Sequence, residues 1–303
     1  MKSKHLLSLK DLGAEGLEDV LQLAARFKKD RGTRMASRPL TGKSVALIFS
    51  KSSTRTRVSF EVGIYELGGH SMFFDKNDLQ LGRGESMSDT AKVLSRYVHA
   101  VVIRYHDHEA VVELASHATV PVINALTDKY HPCQLLADLQ TIREYHPNLR
   151  GVKVAFMGDA DNNMAHSWMI AAMLSGIELR LGAPERYQPH PDFLATLSGP
   201  GKVTITGDPA AAVKDADYVY TDVWVSMGFE EETQEREKEL RPYQVNAELL
   251  RRAAPKVKVM HCLPAYRGKE ITAEVLDGPQ SIIWDQAENR LHAQKAVLAR
   301  LIG

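Results

Sequence analysis

Short apolar runs rich in Val and Ile alternate along the chain with longer stretches whose apolar residues recur at helical spacing. That alternation is the signature of an α/β protein, in which buried parallel strands are linked by crossover helices. In the first half the pattern predicts strands near Val45–Phe49, Ser71–Phe74, Ala100–Arg104 and Pro121–Asn124, with helices near Thr56–Leu67, Ser88–Tyr97 and Glu109–His117. In the second half it predicts strands near Lys153–Met157, Glu178–Leu181, Lys202–Thr206, Tyr218–Thr221, Val257–His261 and Ser281–Trp284. Helices are expected there near Asn163–Ser175, Pro191–Thr196 and Tyr243–Ala253.

Two further helices stand outside the alternation, one from Pro132 to about Tyr145 and one from about Asp285 to Leu301, and both read as bridges. The Pro and Gly of 146–151 stop the first of them and restart the strand pattern, which marks a domain boundary. The apolar residues Leu291, Val297, Leu298 and Leu301 would let the last helix pack back on the first domain. The expected architecture is therefore two doubly wound parallel-sheet domains joined by two bridging helices. Their expected limits are 1–148, completed by the C-terminal helix 286–303, and 151–285.

Length supports that division, because 303 residues exceed what one hydrophobic core usually serves. Charge narrows the partners. The 38 basic residues balance the 38 acidic ones, so there is no global field to draw in nucleic acid or an anionic membrane. No apolar run is long enough to span a bilayer, and the first residues carry neither a secretory core nor the make-up of a transit peptide. A cytoplasmic protein is expected. The two cysteines, Cys133 and Cys262, lie far apart without metal-ligand spacing, so neither a disulfide framework nor a metal site is expected.

Chemistry concentrates where predicted strands end. Ser53-Thr54-Arg55-Thr56-Arg57 follows the strand VALIF and opens a helix. A helix N-terminus offers unpaired N–H groups and about half a positive charge, and the hydroxyls of Ser53, Thr54 and Thr56 with the Arg55 guanidinium complete a cradle for phosphate. An ordinary helix cap with surface arginines is the alternative, and Arg57 fits that plainer role. Arg104 closes AVVIR at the same sheet edge, so a second cation could converge on a doubly charged group. His131 and Gln134 flank Pro132 and Cys133 at the start of a helix and point from one face, a pairing suited to a carbonyl or amide.

In the second half, the strand before Gly158-Asp-Ala-Asp-Asn-Asn163 lacks the GxGxxG of a dinucleotide site, which disfavours a nicotinamide cofactor. Asn162 reads as a helix cap, with Asn163 beside it. Asp222-Val-Trp-Val-Ser-Met-Gly228 offers a carboxylate for an amine, and a Ser226–Met227 backbone for a carboxylate, which together suit a zwitterion. Cys262 ends the strand VKVM with its neighbour Leu263, a thiol at the carboxyl edge of the sheet, and Arg290 early in the last helix could add a third guanidinium.

Taken together, STRTR at 53–57, LGRGES at 81–86, HPCQ at 131–134, the Asn pair at 162–163, DVWVSMG at 222–228 and HCLP at 261–264 closely resemble the aspartate/ornithine carbamoyltransferase family, on its ornithine side. The resemblance spans essentially the whole chain. It implies that the side-chain amine of L-ornithine attacks carbamoyl phosphate, giving citrulline and phosphate, with no metal or organic cofactor. It implies that Ser53, Thr54, Arg55, Thr56 and Arg104 hold the phosphate, that His131, Thr56 and Arg104 polarise the carbamoyl oxygen, and that Gln134, the Cys262–Leu263 backbone and Arg290 surround the carbamoyl amide. Pro132 and Cys133 fall within that same carbamoyl phosphate motif. Ornithine would be bound by Asn163, Asp222, Ser226 and Met227. Arg104, His131, Asp222 and Cys262 would be catalytic. Gln80 would reach a neighbouring subunit's site, which implies a homotrimer or a multiple of it.

The chemistry agrees with that implication. An amine with an ordinary pKa near 10.4 arrives protonated and must lose a proton before it can attack, which Asp222 and Cys262 could promote. Within the family, putrescine or an acylated ornithine are alternative acceptors. Outside it, a non-catalytic amino-acid-binding protein and a nicotinamide oxidoreductase are the rivals.

Overall fold

In the computed structural model, residues 3–75, 78, 84–225 and 230–303 are described. By its internal contacts the chain divides into two units, Met1–Gln140 with Glu288–Gly303, and Thr141–Ala287. Two helices, Pro132–Tyr145 and Ile283–Ile302, carry the chain across that division.

The first unit opens with a helix absent from the sequence-based expectation, α1 (Gly13–Asp30). Its signal is present nonetheless: Leu17, Val20, Leu21, Ala24 and Phe27 recur at helical spacing and are all buried. Four strands follow, β1 (Ser44–Phe49), β2 (His70–Asp75), β3 (Ala100–Arg104) and β4 (Val122–Leu126), in the all-parallel order β2-β1-β3-β4. Between them run α2 (Thr54–Glu66), α3 (Met87–Leu94) and α4 (His108–His117), and α5 (Pro132–Tyr145) comes after β4. Strands β1, β3 and β4 are buried almost throughout, which explains their unbroken apolar runs. Each fully buried Val, Leu or Ile there contributes about 1.5–3 kcal/mol.

The second unit has five strands, β5 (Lys153–Met157), β6 (Glu178–Gly182), β7 (Lys202–Thr206), β8 (Tyr218–Thr221) and β9 (Lys258–His261), all parallel in the order β7-β6-β5-β8-β9. Its helices are α6 (Asn163–Ser175), α7 (Pro191–Ala195), α8 (Pro209–Val213), α9 (Thr233–Leu240), α10 (Ala247–Leu250) and α11 (Ala273–Leu276), and α12 (Ile283–Ile302) leads out of it.

Two expectations need correcting here. Ser281–Trp284 is not a strand: Ser281 makes a single bridge to Val259, and the helix α12 starts at Ile283. The helix expected over Tyr243–Ala253 shrinks to α10, because Asn246 caps at that point by accepting from the Leu249 N–H and so defines a later start.

In each sheet the chain steps from its first strand to one side and then returns to the other. The resulting switch points lie beside β1 and β3 in the first unit, and beside β5 and β8 in the second. Ligands of open α/β sheets bind beyond the carboxyl ends of the strands at such points.

Candidate active site

In the first unit, β1 runs into Ser50–Ser53 and then α2, while β3 ends alongside it at Arg104, in register with Phe49. The Ser50 N–H donates to the Arg104 carbonyl at 3.0 Å, which fastens the turn after β1 to the end of β3. Ser53 takes the extended cap position of α2, yet its side chain makes no capping bond. The first turn of the helix thus keeps donors that an anion can use, which favours the cradle over the ordinary cap. Arg57 instead pairs with Glu61 at 3.0 Å and lies over the Phe73 ring at 3.6 Å, the structural role expected of it.

The cations converge on one histidine. Burial first, and then the guanidinium groups of Arg290, Arg104 and Arg55, hold the His131 imidazole well below its ordinary pKa of 6.5. His131 is therefore neutral near neutral pH and able to donate one N–H to a carbonyl oxygen. Arg290 comes from α12, where its Nη1 donates to Gln134 Oε1 at 2.6 Å and its Nη2 to Thr56 Oγ1 at 3.1 Å. Arg290 is buried, so it does not belong to a solvated helix face. Cys133 is also fully buried, but its thiol turns to the Asn124 carbonyl, and burial pushes its pKa up to about 12.

The second unit is built differently. After β5, Gly158 has φ +117°, a backbone conformation that favours glycine, in the turn that passes beside the Trp224 ring. Asn162 caps α6 by accepting from the Ala165 N–H at 2.9 Å, and the adjacent half-buried Asn163 begins the helix. After β8, Asp222 is half-buried, and the thiol of Cys262, beyond β9, donates to its Oδ1 at 2.9 Å. Burial raises the Asp222 carboxyl above its ordinary range, opposed by the nearby His261 and by bonds from Cys262 and the Val223 N–H. Leu263 follows with a left-handed φ of 57° and donates its N–H to His261 Nδ1 at 2.8 Å. Gln80, Ser226 and Met227, three of the expected ligand-binding residues, lie outside the described residues.

Among the described residues, Asp222, His261 and Cys262 are the one group of three whose donor atoms, within 4.8 Å of one another, could hold a metal ion. Both ring nitrogens of His261 are engaged, however, Nδ1 by Leu263 and Nε2 by Glu270 at 3.0 Å. A metal would have to displace one of those bonds.

Some supporting residues carried no recognisable signal. Arg236, in the polar sequence TQEREKEL, is buried. Its Nη1 donates to Asp159 at 2.7 Å and to the Trp224 carbonyl at 3.4 Å, so it ties together the segments that carry Asn163 and Asp222. Gln294, with its amide turned to suit its neighbours, accepts from Arg290 Nη2 at 3.0 Å and donates to Ser59. The partners that give them away, Asp159 for Arg236 and Ser59 for Gln294, are distant in sequence, so no local pattern marks them.

Residues 4–144 match the family described as aspartate/ornithine carbamoyltransferase, carbamoyl-P binding domain, and residues 150–301 match its Asp/Orn binding domain. A Methanoculleus marisnigri protein named ornithine carbamoyltransferase is 52% identical, with 99% of this chain and 97% of that one covered. A Pyrococcus furiosus protein named as the anabolic ornithine carbamoyltransferase is 51% identical, with 100% and 98% covered. A solved structure of the Pyrococcus furiosus enzyme superposes with a TM-score of 0.93 at 51% identity, covering 99% of this chain and 97% of that one. One from Thermus thermophilus superposes with a TM-score of 0.90 at 40% identity, covering 99% of each.

Proposed function

The chain belongs to the aspartate/ornithine carbamoyltransferase family, and on that premise we propose that it transfers the carbamoyl group of carbamoyl phosphate to the side-chain amine of L-ornithine. The products are L-citrulline and phosphate. Likeness to a relative named anabolic supports the biosynthetic direction, toward arginine.

Two observations carry the reading, one in each unit: a neutral His131 surrounded by Arg55, Arg104 and Arg290, and a hydrogen-bonded Asp222–Cys262 pair. In the proposed mechanism, Ser53, Thr54, Arg55, Thr56 and Arg104 bind the phosphate at the open end of α2. His131, Thr56 and Arg104 stabilise charge on the carbamoyl oxygen, a role worth about 10²–10³ in rate per donor. Gln134, Arg290 and the Cys262–Leu263 backbone are assigned to the carbamoyl amide, with Pro132 and Cys133 shaping the turn that carries Gln134. Asn163, Asp222, Ser226 and Met227 are assigned to ornithine.

The amine nitrogen forms its bond to the carbamoyl carbon, the bond from that carbon to the bridging oxygen breaks, and phosphate leaves with the electron pair. The amine loses a proton on the way, and Asp222, held by the Cys262 thiol, is the acceptor or orienting group for it. Raising its carboxyl pKa makes Asp222 a better base than an ordinary aspartate.

The assignment of domains is part of the same proposal, with carbamoyl phosphate on 1–148 completed by 286–303 and ornithine on 151–285. So is a homotrimer or a multiple of it, which sedimentation would test. A cytoplasmic location accords with the reduced thiols of Cys133 and Cys262, each engaged as a hydrogen-bond donor. Steady-state assay of ornithine, putrescine and N-acetylornithine with carbamoyl phosphate tests the central point. Citrulline formation from ornithine at much the highest kcat/KM is expected, whereas preference for either other amine would overturn the acceptor assignment and leave the carbamoyl donor intact.

A further inference from the structure

Behind Gln134 the first unit buries a carboxylate that none of the steps above uses. Asp138 lies one helical turn along α5 and is fully buried, and its Oδ1 accepts a hydrogen bond from Gln134 Nε2 at 2.8 Å. On the other side of the same amide, Gln134 Oε1 accepts from Arg290 Nη1 at 2.6 Å, and Arg290 Nη2 donates onward to Thr56 Oγ1 at 3.1 Å. Asp138, Gln134, Arg290 and Thr56 are all buried.

An amide side chain has nearly the same shape when turned over, so shape alone does not choose which way round it sits. Its neighbours here do. An ionised carboxylate only accepts and a guanidinium only donates, so the amide of Gln134 has one satisfied orientation between Asp138 and Arg290. Turning it over would bring its NH2 against the guanidinium and its oxygen against the carboxylate, and would lose two charge-assisted bonds in a site with little water to replace them. The orientation that remains presents an oxygen with a second lone pair, because Arg290 uses only one.

We propose that Asp138 is a positioning residue that locks the Gln134 amide with its oxygen ready to accept from the NH2 of the carbamoyl group, and that it thereby sets the preference for carbamoyl phosphate over acyl phosphates. The inference rests on the proposed assignment of Gln134 to the carbamoyl amide. Acetyl phosphate puts a methyl where carbamoyl phosphate has its NH2. The methyl cannot donate, so it leaves a buried acceptor without the bond it was oriented to make, which is how sites built to hydrogen-bond a substrate reject its isosteres.

The experiment compares the wild-type chain with Asp138→Asn, which keeps the volume but replaces an acceptor-only group by one that both donates and accepts. The readouts are kcat/KM for carbamoyl phosphate, and the inhibition constants of acetyl phosphate and inorganic phosphate against it. In the variant, kcat/KM for carbamoyl phosphate is expected to fall about tenfold, with both inhibition constants within about twofold of wild type, so that discrimination is lost and phosphate binding is kept. A second substitution, Gln134→Glu on the Asp138→Asn background, is expected to return most of the preference, since a carboxylate at 134 accepts from Arg290 and Asn at once and cannot be turned the wrong way.

Equal weakening of carbamoyl phosphate, acetyl phosphate and phosphate, or an unchanged preference with a lowered melting temperature, would overturn the proposal and leave Asp138 a folding role. Should Asp138→Asn fail to fold, the doubly substituted chain decides: retained preference supports the proposal and lost preference overturns it. A wild-type chain that makes no citrulline would count against the proposed function, whereas an active wild type whose variants discriminate normally would sink this inference alone.

Discussion

The helices α2 and α6 follow the first strand of each sheet and so hold the same topological position, but their N-termini are finished in opposite ways. Asn162 closes α6 by accepting from the Ala165 N–H, whereas Ser53 stands at the cap of α2 without a capping bond. An uncapped N-terminus keeps its donors and its partial positive charge for an anion, and Arg55, Arg104 and Arg290 reinforce it around a neutral His131. A capped one has already used a donor on itself, and its neighbourhood offers side chains instead, Asn163 on the helix and Asp222 after β8. On the proposed reading, one topology serves a phosphorylated ligand in one unit and a zwitterion in the other, and the two N-termini differ in the donors they leave available.

The largest expected effect comes from removing the reinforcing charge. Arg55→Ala should lower kcat/KM for carbamoyl phosphate by about 10²–10³, and calorimetry should show the loss in phosphate binding itself. If inorganic phosphate bound as tightly as before, the open cap would not be the anion site. Next in size, Asp222→Asn should reduce turnover by about a hundredfold by removing the group that takes or orients the amine proton. Carbamoyl phosphate binding measured without ornithine should stay within about twofold, because Asp222 belongs to the other unit. Loss of that binding would break the division of labour.

The two caps can then be compared directly by unfolding in urea. Asn162→Ala removes a real capping bond and should cost about 1 kcal/mol, whereas Ser53→Ala should cost only a few tenths while still weakening carbamoyl phosphate binding. Similar stability losses at both positions would remove the distinction.

The smallest effect concerns pH. Because the His131 pKa is lowered in the folded state, the unfolded chain binds the proton more readily, so the stability this residue contributes is complete above the ordinary 6.5 and is lost as pH falls below it. His131→Gln should therefore show a smaller drop in melting temperature between pH 7.5 and 5.5 than wild type does. Some drop should persist, since His5, His108 and His292 are also shifted downward by burial. An identical drop in the variant would mean that the imidazole is not held neutral.

Much of the fold was legible in the chain. The strands β3, β5 and β8 coincide with their expected limits, because a strand buried on both faces writes an unbroken apolar run; β7 also coincides, on the alternation of KVTIT, with no residue fully buried. The helix α1 was equally written, in its periodic apolar residues, and went unread. Ser281–Trp284 misled because a short apolar run has no period with which to tell a strand from the start of a helix. Within the site, the hydroxyls and arginines after β1 were visible by type and position. Arg236 was not, because a buried arginine in a polar helix looks like a solvated one until its carboxylate partner, Asp159, is known.

By itself, the sequence determined the strand order of events along the chain, the places where strands end in chemically capable residues, and the family resemblance those residues carry. These are short-range properties, fixed by periodicity and by the residue types at a turn. Only the tertiary structure decided that Ser53 leaves its helix uncapped, that Cys133 turns away into the core, and that Arg290 joins Gln134 and Thr56 across 156 and 234 residues of chain. Such meetings depend on where the sheets and the last helix place their ends, and no local pattern encodes a partner that far away.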